Sequence, residues 1–154
     1  MRRAQMSYET GRGRWRSLKI ARQGEDHMKV ADDDGLRAVE SFLDGLTSND
    51  VGRMPLAEDI VLISPIDPQH PLVGRNVAID FLQTRVFPKI PVRKAEVERH
   101  LVDGDFVATL WTATFAPPGK PQVVVPIFDF FRIENGKIKE LRPYFDPQPL
   151  KQLA

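Results

Sequence analysis

The sequence predicts an α+β fold in which early helices pack on one face of a curved antiparallel sheet and enclose an apolar pocket. Three observations predict it. Apolar residues recur at helical spacing at Leu36, Val39, Phe42, Leu43 and Leu46. From Val92 onward the chain is dominated by long alternating segments rich in β-branched and aromatic residues. Two turn signals, Asp103-Gly104 and Asn135-Gly136, join those segments as hairpins. With 154 residues, 42% of them apolar and 28% charged, the composition suits one domain around one core.

Residues 1–27 carry seven Lys or Arg against three Asp or Glu and show no apolar periodicity, so they read as a disordered basic extension. The single domain is then expected over 28–154. Arg12, Arg14, Trp15 and Arg16 would need a folded basic face to bind nucleic acid, and no nucleic-acid partner is expected. Met28 directly precedes the first well-patterned segment, so an upstream start is an equal origin for residues 1–27.

Asp33 and Asp34 can cap the first helix, which should stop at Ser48 and Asn49. Asp50 opens a short turn that Pro55 ends, and the β-branched run Ile60 to Ile63 reads as a strand. A loop with three prolines, Ser64 to Gly74, leads to a second helix marked by Val77, Ala78, Phe81 and Leu82 and running up to Pro88. Strands are expected at 92–102, 106–115, 122–133 and 137–145.

Several function classes drop out on composition. No segment approaches the roughly 18 apolar residues of a membrane span, and the N-terminus lacks the apolar core of a secretory signal, so a soluble cytoplasmic protein without a membrane partner is expected. The chain has no cysteine, hence no disulfide, thiolate ligand or cysteine nucleophile. His27, His70 and His100 fall in no metal-binding spacing, and no Gly-rich phosphate loop is present, so neither metal nor cofactor is expected.

One residue is out of place for its surroundings. Asp129 stands in V-V-V-P-I-F-D-F-F, on the strand face shared by Val123, Val125, Ile127 and Phe131. A carboxylate there costs several kcal/mol to bury unless it is paired or protonated. Desolvation should raise its pKa and make it a hydrogen-bond donor near neutral pH. The competing reading is an outward-facing aspartate paired with Arg132 or Arg142. Val107, Thr109, Trp111, Ala113 and Phe115 on one strand, with Leu141, Pro143 and Phe145 on another, would complete an apolar wall, although such side chains also simply fill cores.

The stretch Ser41 to Asp50 (S-F-L-D-G-L-T-S-N-D), the helix start Gly74-Arg75-Asn76-Val77-Ala78-Ile79 and the ending F-F-R-I-E-N-G-K-I-K-E-L-R-P-Y-F-D-P resemble the SnoaL-like and ketosteroid isomerase-like branch of the nuclear transport factor 2-like superfamily. The resemblance covers about residues 35 to 149. It implies a cone-shaped fold, a small hydrophobic ligand or substrate, and a homodimer formed through the outer sheet face. The D-F-F-R at Asp129 to Arg132 is similar to the D-x-F-R of ketosteroid isomerases, in which the aspartate is an oxyanion-hole acid.

Two other isomerase groups have no counterpart: the tyrosine position falls on Phe42 and the general-base aspartate position near Ser64. A base could instead come from Asp67 or His70 in the proline-rich loop, or from His100, whose strand leaves both a pocket-facing and a solvent-facing reading open. The limonene epoxide hydrolase pattern W-R-D-Y-F-D reads L-R-P-Y-F-D here, with Pro143 in place of an acid, so the hydrolytic trio is not expected.

The sequence therefore points to a cofactor-independent enzyme moving protons on a small hydrophobic carbonyl or polyketide-like compound, by isomerisation, aldol-type cyclisation or dehydration. Its expected catalytic groups are Asp129, Asp67 and His70. Phe42, Ser64, His100, Thr109, Trp111, Ala113, Val125, Ile127, Phe131, Leu141, Pro143 and Phe145 are expected to line the pocket. The alternative is a non-catalytic binding or dimerisation module, and the test between them is whether a second titratable group faces Asp129; a limonene epoxide hydrolase-like hydrolase is a lesser alternative. A protein-transport role would rest on fold alone.

Overall fold

The computed structural model describes residues 25–152, with side chains from residue 34 onward. Helix α1 (Glu25–Ser48) starts ahead of the Asp33-Asp34 pair rather than at it. A side-chain cap requires the backbone before it to leave helical geometry, and the segment E-D-H-M-K-V-A-D contains no proline or glycine that would force it to. The rest of the basic extension, residues 1–24, lies outside the described residues.

The end of α1 falls where expected. Asn49 takes the left-handed conformation at φ 55°, the Asp50 amide donates to the Gly45 carbonyl at 2.9 Å, and the Asn49 amide donates to that of Leu46 at 3.4 Å. This pair of bonds satisfies carbonyls that the last helical turn would otherwise leave open. The next turn is held by the Asp50 side chain, which accepts from the Gly52 amide.

Strand β1 (Leu56–Leu62) follows, then a two-residue strand β2 (Leu72–Val73) inside the segment expected as loop. Helix α2 (Arg75–Phe81) continues into a π-helical turn at Leu82–Val86. Strands β3 (Val92–Asp103), β4 (Phe106–Phe115), β5 (Val123–Glu134) and β6 (Lys137–Tyr144) form a run of hairpins, and a short helix α3 (Gln148–Lys151) ends the described chain. Asn135 and Gly136, with φ of 51° and 69°, make the tight turn between β5 and β6.

The six strands are ordered β2-β1-β6-β5-β4-β3. The sheet is mixed, which corrects the wholly antiparallel expectation: β1 runs parallel to β6. The hairpin run leaves only β3 and β6 as edges, and the apolar Leu56, Ile60 and Leu62 of β1 bury themselves by adding to the second of these. Register irregularities within β3/β4, β5/β6 and β1/β6 supply the local bends that curve the sheet.

Helix α1 crosses the concave side and buries Ala38, Val39, Phe42, Leu43 and Leu46 against it. Its early part lies close to the sheet: a Cβ at Gly35 would come within 3.2 Å of Val107. Phe42 meets Phe131 edge-on, with ring centroids 5.7 Å apart. This packing fills one end of the concave face. The other end, bounded by α2 and the segment after it, is not filled.

Candidate functional site

The unfilled end is a cavity of about 110 Å³, walled almost entirely by apolar side chains. Phe42 and Leu46 come from α1, Leu62, Ser64 and Ile66 from the end of β1 and its loop, and Phe81, Leu82 and Val86 from α2 and its extension. The sheet contributes Trp111, Phe115, Ile127, Asp129, Leu141 and Pro143, and Phe145 and Leu150 close the far side.

Among the described residues Asp129 is the one ionisable group on this wall. Strand alternation puts it on the inner face of β5 with Ile127 and Phe131, and it is 2% exposed. The Trp111 indole N–H donates to its Oδ2 at 2.7 Å. Burial pushes the carboxyl pKa up from 3.8 to about 7, while the Trp111 bond pulls the other way and holds the rise in check. When the group is neutral, Oδ2 best keeps its lone pairs for the indole, so the proton belongs on Oδ1.

Pro143 stands directly across from Asp129 on β6. Proline inside a sheet normally removes a ladder bond, but here the position tolerates it. The Ile63 amide donates to the Leu141 carbonyl at 3.0 Å, so the polar groups of alternate β6 residues Leu141 and Pro143 face β1, and β1 has ended at Leu62 before it reaches Pro143. On the β5 side the Asp129–Pro143 pair is then of the closely spaced, non-hydrogen-bonded kind. The proline ring sits beside the carboxyl without a donor to offer it.

Of the residues expected to line the pocket, Phe42, Ser64, Trp111, Ile127, Leu141, Pro143 and Phe145 do so. Thr109, Ala113, Val125 and Phe131 share their face but are packed into the core. His100 also lies off the cavity. It is partly buried on β3, and its Nδ1 is 2.9 Å from the Thr109 hydroxyl. Asp67 and His70 lie outside as well: both are exposed, and they hold each other through His70 Nδ1 and Asp67 Oδ1 at 2.8 Å. The cavity therefore does not bring Asp67, His70 or His100 to Asp129.

The sequence reading placed Trp111 in the wall but missed its role as a donor. The signal was present, because a buried indole N–H needs an acceptor and Asp129 is the charged acceptor on the adjoining strand's inner face. Leu46, Leu62, Ile66, Val86, Ile90 and Leu150 were also missed, since depth along a face depends on what packs over it. Among the described residues, no group of three His, Cys, Asp or Glu is placed to hold a metal ion.

Residues 39–141 match the family model of the SnoaL-like domain. The chain belongs to that family. No curated protein matches the sequence significantly. Solved structures do share the fold of this SnoaL-like domain. An epoxide hydrolase from M. tuberculosis, described as LEH-like, is 23% identical with a TM-score of 0.67, over 79% of this chain and 90% of its own. A protein from Jannaschia sp. CCS1, named for SnoaL-like polyketide cyclases, is 23% identical with a TM-score of 0.67, over 80% of this chain and 92% of its own. One from Kribbella flavida, named for ketosteroid isomerases, is 19% identical with a TM-score of 0.60, over 75% of this chain and 79% of its own. At such identities the likeness establishes the NTF2-like fold alone. No helix among the described residues is long and apolar enough to cross a membrane.

Proposed function

We propose that this SnoaL-like domain is a cofactor-independent enzyme that relocates a proton on a small hydrophobic carbonyl compound, with Asp129 carrying the proton. The observation that supports this most is the placement of one buried carboxyl, pushed up to about 7 and oriented by Trp111, in an otherwise apolar cavity. At neutral pH both its forms are abundant, which is the condition for efficient acid–base catalysis. The neutral form donates from Oδ1 to a carbonyl oxygen and stabilises a developing enolate; the ionised form accepts a proton from the carbon beside the carbonyl. Dry walls strengthen both interactions.

With Asp67, His70 and His100 off the cavity, the reaction is one that a single carboxyl completes. Isomerisation or tautomerisation fits this best: the carboxylate takes a proton at one carbon, returns it at another and ends as it began. Aldol-type cyclisation and dehydration call for a second acid–base group. Epoxide hydrolysis through an Asp-Arg-Asp trio is disfavoured, because among the described residues no arginine lines the cavity.

The test is deuterium exchange from D₂O into small cyclic enones, followed by NMR for wild type and Asp129→Asn. Wild type should accelerate exchange with a rate that changes through about pH 7, and the variant should lose on the order of 10²- to 10⁴-fold. An Asp129→Asn protein that exchanges as fast as wild type sinks the proposal. The second reading, a binding module, is favoured by the lack, among the described residues, of a second titratable group on the cavity wall. Wild type that binds the enones tightly without exchanging them would establish it.

The same reading includes a homodimer through the outer face of the sheet. Leu101, Val124, Phe128 and Tyr144 are exposed there, and Phe106 stacks on Phe130 with centroids 5.3 Å apart. Arg132, Glu134, Glu140 and Arg142 give that face ion pairs of both signs, a pattern compatible with self-association.

A further inference from the structure

A second depression, about 600 Å³ in volume, adjoins the cavity and shares Ile66, Ile90 and Leu150 with it. Its charge is one-sided. Arg85 from the turn after α2, Lys89 just beyond, Lys120 from the loop between β4 and β5, and Lys151 from α3 all line it, and among the described residues no acidic one does. Three separate stretches of chain thus bring four cations to one rim. None of the four takes part in an ion pair among the described residues, in common with Arg93, Arg99 and Lys137 and unlike Arg37, Arg53, Arg75, Lys94, Arg132, Lys139 and Arg142; what sets the four apart is that they line one depression together.

Like charges gathered without counter-charges repel one another, and an anion placed among them relieves that repulsion. A ligand that reaches from the apolar cavity across the shared Ile66, Ile90 and Leu150 arrives among these cations.

We propose that the ligand of this domain is an amphiphilic anion, its apolar part in the Asp129 cavity and a carboxylate or phosphate held in the outer depression by Arg85, Lys89, Lys120 and Lys151. This rests on the reading that the cavity holds the reacting, apolar part, and it narrows the substrate class to acidic carbonyl compounds. Arginine suits either head group as a two-pronged donor, and the lysines act as point charges.

The test compares phenylbutanoate, phenylbutyl phosphate and phenylbutanol as matched probes, by isothermal titration calorimetry at low and at physiological salt. The proteins are wild type and the combined variant Arg85→Gln, Lys89→Gln, Lys120→Gln, Lys151→Gln. In wild type the anions should bind on the order of tenfold more tightly than the alcohol, an advantage that shrinks as salt screens it. The variant should lose that advantage while keeping its affinity for the alcohol, which also shows that it is folded. The stronger of the two anions identifies the head group. Equal binding of all three probes by wild type, or an advantage that survives in the variant, overturns the proposal and leaves the cavity reading standing. If none of the three binds, the cavity reading fails, and this proposal fails with it.

Discussion

The two faces of the strands β3 to β6 are built from the same kinds of residue and treat them in opposite ways. On β5 the inward residues Val125, Ile127, Asp129, Phe131 and Ile133 are all buried, while the outward Val124, Pro126 and Phe128 are exposed. Arg132, Glu134, Glu140 and Arg142 lie within ion-pairing reach of one another on the outer side. Asp129, one residue out of phase with Arg132's face, is held away from water and becomes a weak acid. The phase of alternation, more than residue identity, decides which side chain is withdrawn from water: a one-residue slip of β5 would exchange the two environments.

The largest effect that tests this contrast is the pH dependence of stability. Asp129 has a folded pKa near 7 against 3.8 when unfolded, so below about pH 4 both states hold the proton. Between there and about 7 only the folded state does, and stability from this site falls as pH rises, by about 4 kcal/mol in all, then levels off. Urea denaturation across this range should show the decline in wild type and lack it in Asp129→Asn. Parallel curves for the two proteins would mean that the inner carboxyl behaves like an outer one.

Replacing Trp111 by Phe keeps the wall apolar and removes the N–H. The Asp129 pKa should rise further, and at pH 8, where the carboxylate would be left without its donor, stability should fall by about 1–3 kcal/mol. At pH 5 the loss should be smaller. Carboxyl-labelled NMR titration of the two proteins checks the shift, and an unmoved pKa would remove Trp111 from the site.

The smallest effect belongs to the outer face. Phe128→Ser should change the stability of an isolated subunit by less than about 0.5–1 kcal/mol, because the ring is already exposed. The same substitution should weaken self-association, and light scattering over a dilution series measures it. A wild-type protein that is monomeric throughout would leave the outer face without the partner proposed for it.

Much of the fold could be read locally. Asn49 ended α1, Asn135-Gly136 turned β5 into β6, and alternation put Asp129 and Trp111 on one face. The start of α1 was misread, since Asp33 and Asp34 have capping side chains but nothing before them interrupts the helix. The parallel pairing of β1 with β6 was out of reach, because no local pattern names a partner so distant in sequence. In the site, face was legible and depth was not. Phe131 and Trp111 read alike, yet Phe42 covers the first, and the second opens on the cavity. Asp67 and His70 drew attention through their spacing, but the chain turns them outward onto each other.

The union of β1 with β6 also sets an order of events at the ribosome. Lys139 of β6 pairs with Asp59 of β1 across 80 residues of sequence, so at ordinary rates of synthesis β1 emerges on the order of ten seconds before the strand that shelters it. Throughout that interval Leu56, Ile60 and Leu62 have no neighbour on the β6 side. Nascent chains caught at that stage would be clients for holding chaperones, and the cavity itself could not yet exist, because Leu141 and Pro143 of its wall are made only with β6.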